Sequence, residues 1–465
     1  MAMQIRSEFE LPTLQILLDP QRTNFSEAVF RVLLGTQTPD EVARCSLGDL
    51  GLPAAMTGLN PVDDHNLSIP AEVVEALQRA AGTLGRSPLP PQDALWLEFP
   101  SPRGSLYIMP WERILAPLGR PLIRLPNHLV RPQAPGDALE VAICATTSQE
   151  SSTLKKLPDI LDHLVAQYLQ HAASRAVTVH IFTDPSWFGA VQKRLDAYGD
   201  SVVLHDPAGA VGYDPRSNVS NTGSAVQISS PWLLWMRDNL GTRPFDWVHF
   251  VGPGYLAGDR GALAVATSPV VGQTKQGSRS IGPGELNTFL SQVGAWGLGL
   301  SGPLGGSADV GLRELADAVT LMRPCVTIEH CLDVDPASAD FGTLLETVFR
   351  PGSALNHPVP AVTCWAHPQF VQYPDDYRYD LGLNTDGSSA FVSELTKAAL
   401  AQSDTPTWIA SASRVMESQQ MRWLPNSADV AADPAAVTAL QNVADLIERH
   451  VGQTFPQRLA DGGEP

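Results

Sequence analysis

From Leu139 onward the chain alternates short apolar runs with amphipathic stretches, and this alternation constrains its fold more than any other feature. Leu139-Glu140-Val141-Ala142-Ile143-Cys144, Val177-Thr178-Val179-His180-Ile181-Phe182, Val202-Val203-Leu204 and Trp247-Val248-His249-Phe250-Val251 read as strands. Between the first two, residues 154–173 place Leu157, Ile160, Leu161, Leu164 and Tyr168 on one helical stripe; Trp187 to Tyr198 and Pro231 to Leu240 give further helices. The pattern resumes with strands at Trp296 to Leu300, Cys325 to Ile328 and Val359 to Trp365, and helices at Gly284 to Leu290, Val310 to Leu321 and Phe341 to Phe349. Strands joined by helices of this length form a mainly parallel sheet covered on both faces. The loops at the carboxyl ends of such strands are where ligands or chemistry sit. Two apolar runs, at Trp247 and at Trp296, lead straight into glycine and proline, so the stretch from Asp246 to Ser307 is the expected site.

The first 125 residues read as a small mixed α/β segment. Leu11 to Leu18 and Ala28 to Leu34 suit a hairpin, and Ser68 can cap a helix that carries Val73, Val74, Leu77 and Ala81 on one face. Ala94 to Phe99 and Tyr107 to Met109 read as two more strands, and Pro110 opens a short helix with Trp111 as a core anchor and Glu112 in its first turn. A proline-rich link at 126–136 leads to an α/β domain over 137–385, and 386–465 is a helical extension. Its clearest helix starts at Asp433-Pro434 and places Val437, Leu440, Val443, Ile447 and Val451 on one face. Residues 206–228 form a long polar loop, and Gly258 to Ser280 reads as a hairpin excursion from the sheet.

Thirty-one basic against 49 acidic residues give a net charge of −18, which disfavours a phosphate backbone as the main partner and so argues against nucleic acid. No window is apolar for long enough to span a membrane, and charges and proline interrupt the first twenty-odd residues where a signal peptide would be unbroken. The five cysteines are scattered and odd in number, which suits reduced thiols in a cytoplasm. No spacing calls for a metal or a cofactor.

Four local patterns bear on chemistry. Gly252-Pro253-Gly254-Tyr255-Leu256-Ala257 has the letters of a dinucleotide loop, but Pro253 removes an amide donor and Gly258 and Gly261 follow where a helix should open. The turn from Gly302 through Gly305 to Ser307 precedes a helix and could hold a small anion, although no P-loop lysine follows and a capped tight turn explains it more simply. Ser301 misses the G-x-S-x-G elbow because Pro303 replaces the last glycine. His330-Cys331, with Asp333 and Asp335, fits no standard metal spacing, and His249 inside an apolar strand reads first as a core histidine.

The run Leu106-Tyr107-Ile108-Met109-Pro110-Trp111-Glu112-Arg113-Ile114-Leu115, followed by a βαβ sheet, resembles the CHAT domain, a caspase-like peptidase module with a Pro-Trp-Glu-Leu-Leu run before its sheet. His249-Phe250-Val251-Gly252-Pro253-Gly254 is similar to that family's H-F-x-x-H-G, and Leu300-Ser301-Gly302-Pro303 to its L-S-A-C. The resemblance covers about residues 100–385 and implies a caspase-like three-layer sandwich with a mainly parallel sheet, a mixed α/β segment before it and a helical tail after it. Active members use the second histidine of the first motif as general base and the cysteine of the second as nucleophile. Here Pro253 and Pro303 stand at those positions, and His249 matches the first, structural histidine. The expectation is therefore a cytoplasmic pseudopeptidase without cofactors, acting as a scaffold, sensor or regulatory subunit in a bacterial conflict or defence system, with multi-domain or repeat-containing proteins as partners. Gly252, Gly254, Ser301, Gly302, Gly305 and Ser307 are its cleft-lining candidates. The alternatives are an active cysteine endopeptidase pairing His249 with Cys325 or Cys331, and a small-ligand sensor built on the Gly302 to Ser307 turn.

Overall fold

A computed structural model describes residues between 9 and 371, with breaks at 20–26, 36, 53–66, 85–90, 92, 102, 127–137, 147–155, 173–174, 215–227, 240–243, 258–259, 273–276, 304–306, 351 and 369–370. The chain divides into two units, Met1–Gly382 and Leu383–Pro465; all described residues belong to the first, so the expected tail helix lies outside them.

The central strands are β6 (Ala138–Ala145), β7 (Ala176–Thr183), β8 (Val202–His205), β9 (Trp247–Val251), β13 (Gly297–Gly302), β14 (Val326–Cys331) and β15 (Val362–Trp365). The first six run parallel, in the order β8-β7-β6-β9-β13-β14, and β15 closes this half antiparallel to β14. Strand alternation sorts the side chains into two cores. Val141, Ile143, Trp247, Val251, Val326 and Ile328 face one side, where helices α3 (Leu157–His171), α4 (Pro185–Leu195) and α8 (Ala339–Phe349) cover them. Ala142, Cys144, Val248, Phe250, Leu298 and Leu300 face the other, under α5 (Pro231–Asp238), α6 (Pro283–Val293) and α7 (Ser307–Met322). The expected three-layer α/β arrangement with a mainly parallel sheet is thus present.

The amino-terminal strands extend the same sheet. β1 (Pro12–Leu18) and β2 (Glu27–Leu34) pair antiparallel as the hairpin reading requires, and β3 (Asp40–Ser46), β4 (Leu95–Glu98) and β5 (Leu122–Arg124) join them. The full order is β3-β2-β1-β4-β5-β15-β14-β13-β9-β6-β7-β8, twelve strands with β15 between the two halves. Helix α1 (Ala71–Thr83) buries Val73, Leu77 and Ala81, but Ser68 does not cap it; Pro70 stands at the cap position without a side-chain bond, and Ser68 Oγ donates instead to the Asp49 carbonyl.

Tyr107 to Met109 is not a strand. Leu106–Ile108 forms a 3-10 turn, because the carbonyls of Tyr107 and Met109 point inward to accept hydrogen bonds from the Arg124 guanidinium. The same guanidinium meets Glu112 in a two-pronged ion pair, Nε to Oε1 and a terminal nitrogen to Oε2, each at 2.8 Å. It lies 4.8 Å from the centre of the Trp365 ring, and Thr363 Oγ1 donates to Glu112 Oε2 at 3.2 Å. The Pro-Trp-Glu run, on the short helix α2 (Trp111–Ile114), therefore clamps β5 and β15 from inside the core. Burial of both charges is tolerated because every prong is matched.

Past β9 the chain makes a separate three-stranded antiparallel sheet, β10 (Gly254–Ala257), β11 (Arg260–Ala266) and β12 (Ser278–Ile281). The expected excursion thus has one strand more than a hairpin. It is seated on α7 through two glycines: a Cβ on Gly261 would lie 2.1 Å from the Gly311 carbonyl oxygen, and one on Gly311 would lie 2.7 Å from the Tyr255 backbone. No described helix is long and apolar enough to cross a membrane.

Candidate functional site

The carboxyl ends of β9 and β13 lie side by side, as their parallel register requires. Gly252 N–H donates to the Ser301 carbonyl at 2.9 Å, the Pro253 carbonyl accepts from Ala264 N–H at 3.0 Å, and the Gly302 carbonyl accepts from Leu332 N–H at 2.9 Å. A Cβ at Gly252 would lie 2.9 Å from the Thr146 carbonyl oxygen, and one at Gly302 would lie 2.5 Å from Leu312 Cδ1, so both glycines are there for close approach. Gly254 opens β10, so the chain leaves β9 as a strand and never opens the helix that a dinucleotide loop needs. Pro253 and Pro303 are buried at the two ends. Gly305 lies outside the described residues, and Ser307 is the first residue of α7 rather than the residue before it.

The crevice at the topological switch point, between β6 and β9, is filled. The Thr146 hydroxyl accepts from Ala266 N–H at 3.1 Å, and the Trp232 indole donates to the Ala266 carbonyl at 2.9 Å, so the end of β11 plugs the place where an open α/β sheet would take a ligand.

Just inside the strand ends lies a continuous chain of buried polar side chains that crosses three strands. Tyr168 on α3, His249 on β9, Ser301 on β13 and His330 on β14 are all fully buried, and Asp335 in the following turn is 8% exposed. Tyr168 Oη and His249 Nδ1 are 2.8 Å apart, His249 Nε2 and Ser301 Oγ 2.7 Å, and Ser301 Oγ and His330 Nδ1 2.9 Å. His330 Nε2 donates to the Asp335 carbonyl at 3.2 Å and is 3.3 Å from Asp335 Oδ2. Register places these groups. Ser301 and His330 are direct neighbours across β13 and β14, and His249 faces Gly299. A Cβ at Gly299 would lie 2.7 Å from His249 Nδ1, and one at Gly297 would lie 1.9 Å from the Trp247 ring, so the glycines of Trp296-Gly297-Leu298-Gly299-Leu300 make room for two large rings on the adjacent strand.

The direction of the chain follows from its last member. The Asp335 carboxylate accepts the amides of Ala339, Asp340 and Phe341 at 2.8, 2.9 and 3.3 Å and so caps α8. Burial alone would push its carboxyl up; the bond from His330 and the amides outweigh burial and hold it below the ordinary carboxylate value. An ionised carboxylate only accepts, so His330 carries its proton on Nε2 and accepts at Nδ1. Ser301 then donates to His330 and accepts from His249 Nε2–H, leaving His249 Nδ1 to accept from the Tyr168 hydroxyl. Every donor of the chain thus has an acceptor, His330 Nε2–H sharing the carbonyl and carboxylate of Asp335. Burial, and behind it His330, holds His249 well below its ordinary value, and burial raises the Tyr168 hydroxyl well above its own, so both stay neutral.

Serine, histidine and aspartate in hydrogen-bonded series are the residue types of a hydrolase triad, but Ser301 has no exposed surface and its hydroxyl is held by two imidazoles. A substrate carbonyl has no route to it. The proposed thiols are not at hand either. Val326, Ile328 and His330 face α3 and α8, so Cys325 and Cys331, at alternate positions, face away from His249. All five cysteines are buried without disulfides; burial pushes the Cys45 thiol up to about 12 and raises those of Cys144, Cys325 and Cys364 as well. Among the described residues no group of three His, Cys, Asp or Glu side chains could hold a metal ion. An open groove of about 690 Å³ lies beyond the end of β14, between Lys156, Asp159, Ile160 and His163 on one side and Leu332, Asp333 and Pro336 on the other. His163 Nδ1 is 2.9 Å from the Pro336 carbonyl oxygen across it.

The sequence reading treats His249, Ser301 and the group His330, Cys331, Asp333 and Asp335 as separate features, and the fold joins His249, Ser301, His330 and Asp335. Tyr168 enters it only as part of a helical stripe. The legible signal was periodic: His249, Ser301 and His330 each sit near the carboxyl end of a predicted parallel strand, on the face shared with the glycines of β13. Comparison with protein-family models, with curated proteins and with solved structures found no match.

Proposed function

We propose that this chain is a CHAT-like pseudopeptidase that works without catalysis, as a scaffold, sensor or regulatory subunit that binds other proteins. The observation that carries the reading is the occupancy of the two adjacent strand ends. Pro253 and Pro303 offer neither a base nor a nucleophile where the resembled family has both. Two further arrangements support it: both nitrogens of His249 are engaged by Tyr168 and Ser301, and Cys325 and Cys331 lie on the opposite face of the sheet. An acidic chain of net charge −18 favours protein partners over nucleic acid, and the resemblance points to multi-domain or repeat-containing partners in a bacterial conflict system acting in the cytoplasm.

A thiol-directed peptidase probe and a panel of fluorogenic peptides, applied to the full chain alone and after co-purification with the products of neighbouring genes, test this reading. No labelling at a single fast thiol, no cleavage and a stable co-purifying protein are expected. Cleavage that disappears in Cys325→Ala or Cys331→Ala would overturn it.

A further inference from the structure

A second pair of histidines meets on the opposite face of the sheet, the one covered by α5, α6 and α7, and near its β8 end. Glu140 on β6, His180 on β7 and His205 on β8 follow one another across three neighbouring parallel strands. His180 Nε2 is 3.1 Å from Glu140 Oε2, and His180 Nδ1 is 3.1 Å from His205 Nε2. Both rings are held from outside the pair. His205 lies flat on Phe182, its cross-strand neighbour, with ring centres 4.2 Å apart and planes 5° from parallel, and Phe245 stands 5.3 Å from the centre of His180. Asn239, just past the carboxyl end of α5, bonds the His205 ring and gives its Nδ2–H to the Trp235 carbonyl at 2.8 Å. Unlike His249, Ser301 and His330, which are fully buried, this cluster reaches solvent: the His180 and Glu140 side chains are 13% and 16% exposed.

We propose that His180 Nδ1 and His205 Nε2 are the two protein ligands of a divalent transition-metal site of the zinc class, completed by water on the solvent side. The reading is independent of the pseudopeptidase one. Zinc–imidazole bonds are about 2.0–2.1 Å long, and two of them ending 3.1 Å apart enclose about 100°, close to a tetrahedral angle. The rings now meet nearly head-on, with centres 5.3 Å apart, so both tilt towards the metal as it binds. A proton now lies between the facing nitrogens, and the metal takes its place. Each ring stays neutral: His180 keeps its proton on Nε2 for Glu140, and His205 carries its own on Nδ1, on the Asn239 side. Glu140 thus stands where carboxylates stand behind metal-bound histidines, holding the outer nitrogen protonated and the inner one as a lone pair. Burial, and then His180, push His205 down to about 4, so that ring is neutral at neutral pH, as a ligand must be. Imidazole pairs favour zinc, nickel and copper over magnesium and calcium. Two protein ligands are fewer than a closed centre uses, so the metal exchanges with solution, and its binding ties β8, the last strand of the described sheet, to β7.

Zinc chloride is the probe. The full chain, reduced and stripped of metal with a chelator, is titrated with it against a chromogenic zinc indicator. One equivalent should bind beyond what the double variant His180→Gln with His205→Phe takes up. Each single substitution should weaken that equivalent at least tenfold, and Glu140→Gln, which leaves both ligands in place, should weaken it about ten- to a hundredfold. Excess magnesium should not compete. Cobalt(II) in place of zinc should show no thiolate charge-transfer band, which sets the site apart from the five buried cysteines. On the wild-type chain with nitrogen-labelled histidine, zinc should move two rings, one bound through Nδ1 and the other through Nε2, a mixed pattern that needs no variant to be read. The proposal is overturned if the wild-type chain takes up no zinc, if the double variant binds it as tightly as wild type, if cobalt reports thiolate ligands, or if the shifted rings do not show one Nδ1 and one Nε2 ligand.

Discussion

Gly299→Ala isolates how tightly the buried chain is fitted. The added Cβ would lie 2.7 Å from His249 Nδ1, 2.8 Å from its Cγ and 3.1 Å from its Cε1, a ring flanked by strands and by Tyr168 and Phe341, with nowhere to retreat. The imidazole must turn or shift, and the 2.8 Å bond from Tyr168 goes with it. Overpacking a core by one methyl costs about 1–3 kcal/mol and leaving a buried donor unmatched about 1–3 kcal/mol more, so the substitution should cost about 2–6 kcal/mol. That is a large part of the stability of an ordinary domain. Urea denaturation followed by tryptophan fluorescence gives the loss directly. Gly284→Ala serves as the control, since nothing lies within 4 Å of its added Cβ in the first turn of α6, and it should be neutral or stabilising by about 0.5–1 kcal/mol. Tyr168→Phe in each background completes a cycle: removing the hydroxyl should cost less once Gly299→Ala has broken its bond, with a coupling of about 0.5–3 kcal/mol. Equal stability of Gly299→Ala and wild type, or strict additivity with Tyr168→Phe, would show that β9 and β13 are not fitted around the His249 ring.

Two further outcomes are expected. Arg124→Met should cost about 3–5 kcal/mol because it strands the Glu112 carboxylate inside the core, and the double variant Arg124→Met with Glu112→Leu should recover most of the loss; denaturant midpoints that leave the double variant no better than the single one contradict this. Burial, and then His180 at 3.1 Å, push His205 down to about 4, whereas in the unfolded chain it titrates near its ordinary value of about 6.5; the unfolded state then binds the extra proton first, so stability is full above about pH 6.5 and falls as pH drops towards about 4. His205→Phe, which keeps the ring stacked on Phe182 at 4.2 Å, should flatten that fall, and parallel pH profiles of the two proteins by chemical denaturation would rule the assignment out.

The parallel sheet was legible because its strands are buried on both faces and its helices carry long apolar stripes: Val141 and Ile143 turn to one core and Ala142 and Cys144 to the other, as unbroken apolar runs predict. β3 and β5 were not legible. Asp40–Ser46 is polar, as suits a strand at the edge of the described sheet, and Leu122–Arg124 is three residues long. Tyr107 to Met109 has the composition of a strand, but the Arg124 guanidinium takes its carbonyls, a demand made by a residue fifteen positions from Met109 that no local pattern carries. The strand ends at Pro253 and Pro303 were located correctly because glycine and proline punctuate them. The link from His249 through Ser301 to His330 was not, since each looks like an ordinary residue of its own strand and only the register of β9, β13 and β14 brings them into line.

The position of β15 also governs how the molecule comes together in time. Among the described residues, Val362–Trp365 stands between β14 and β5 in the sheet, so the strands of the first 125 residues and those of the middle of the chain are linked by hydrogen bonds through β15. During synthesis the amino-terminal strands must wait with β5 as an open edge while the whole central unit is made. The pairing of β15 with β5 joins strands of very long sequence separation, a kind of contact that forms slowly. The Glu112–Arg124 clamp, already poised on the early side of that pairing with Thr363 and Trp365 as its missing contacts, selects the strand that fits.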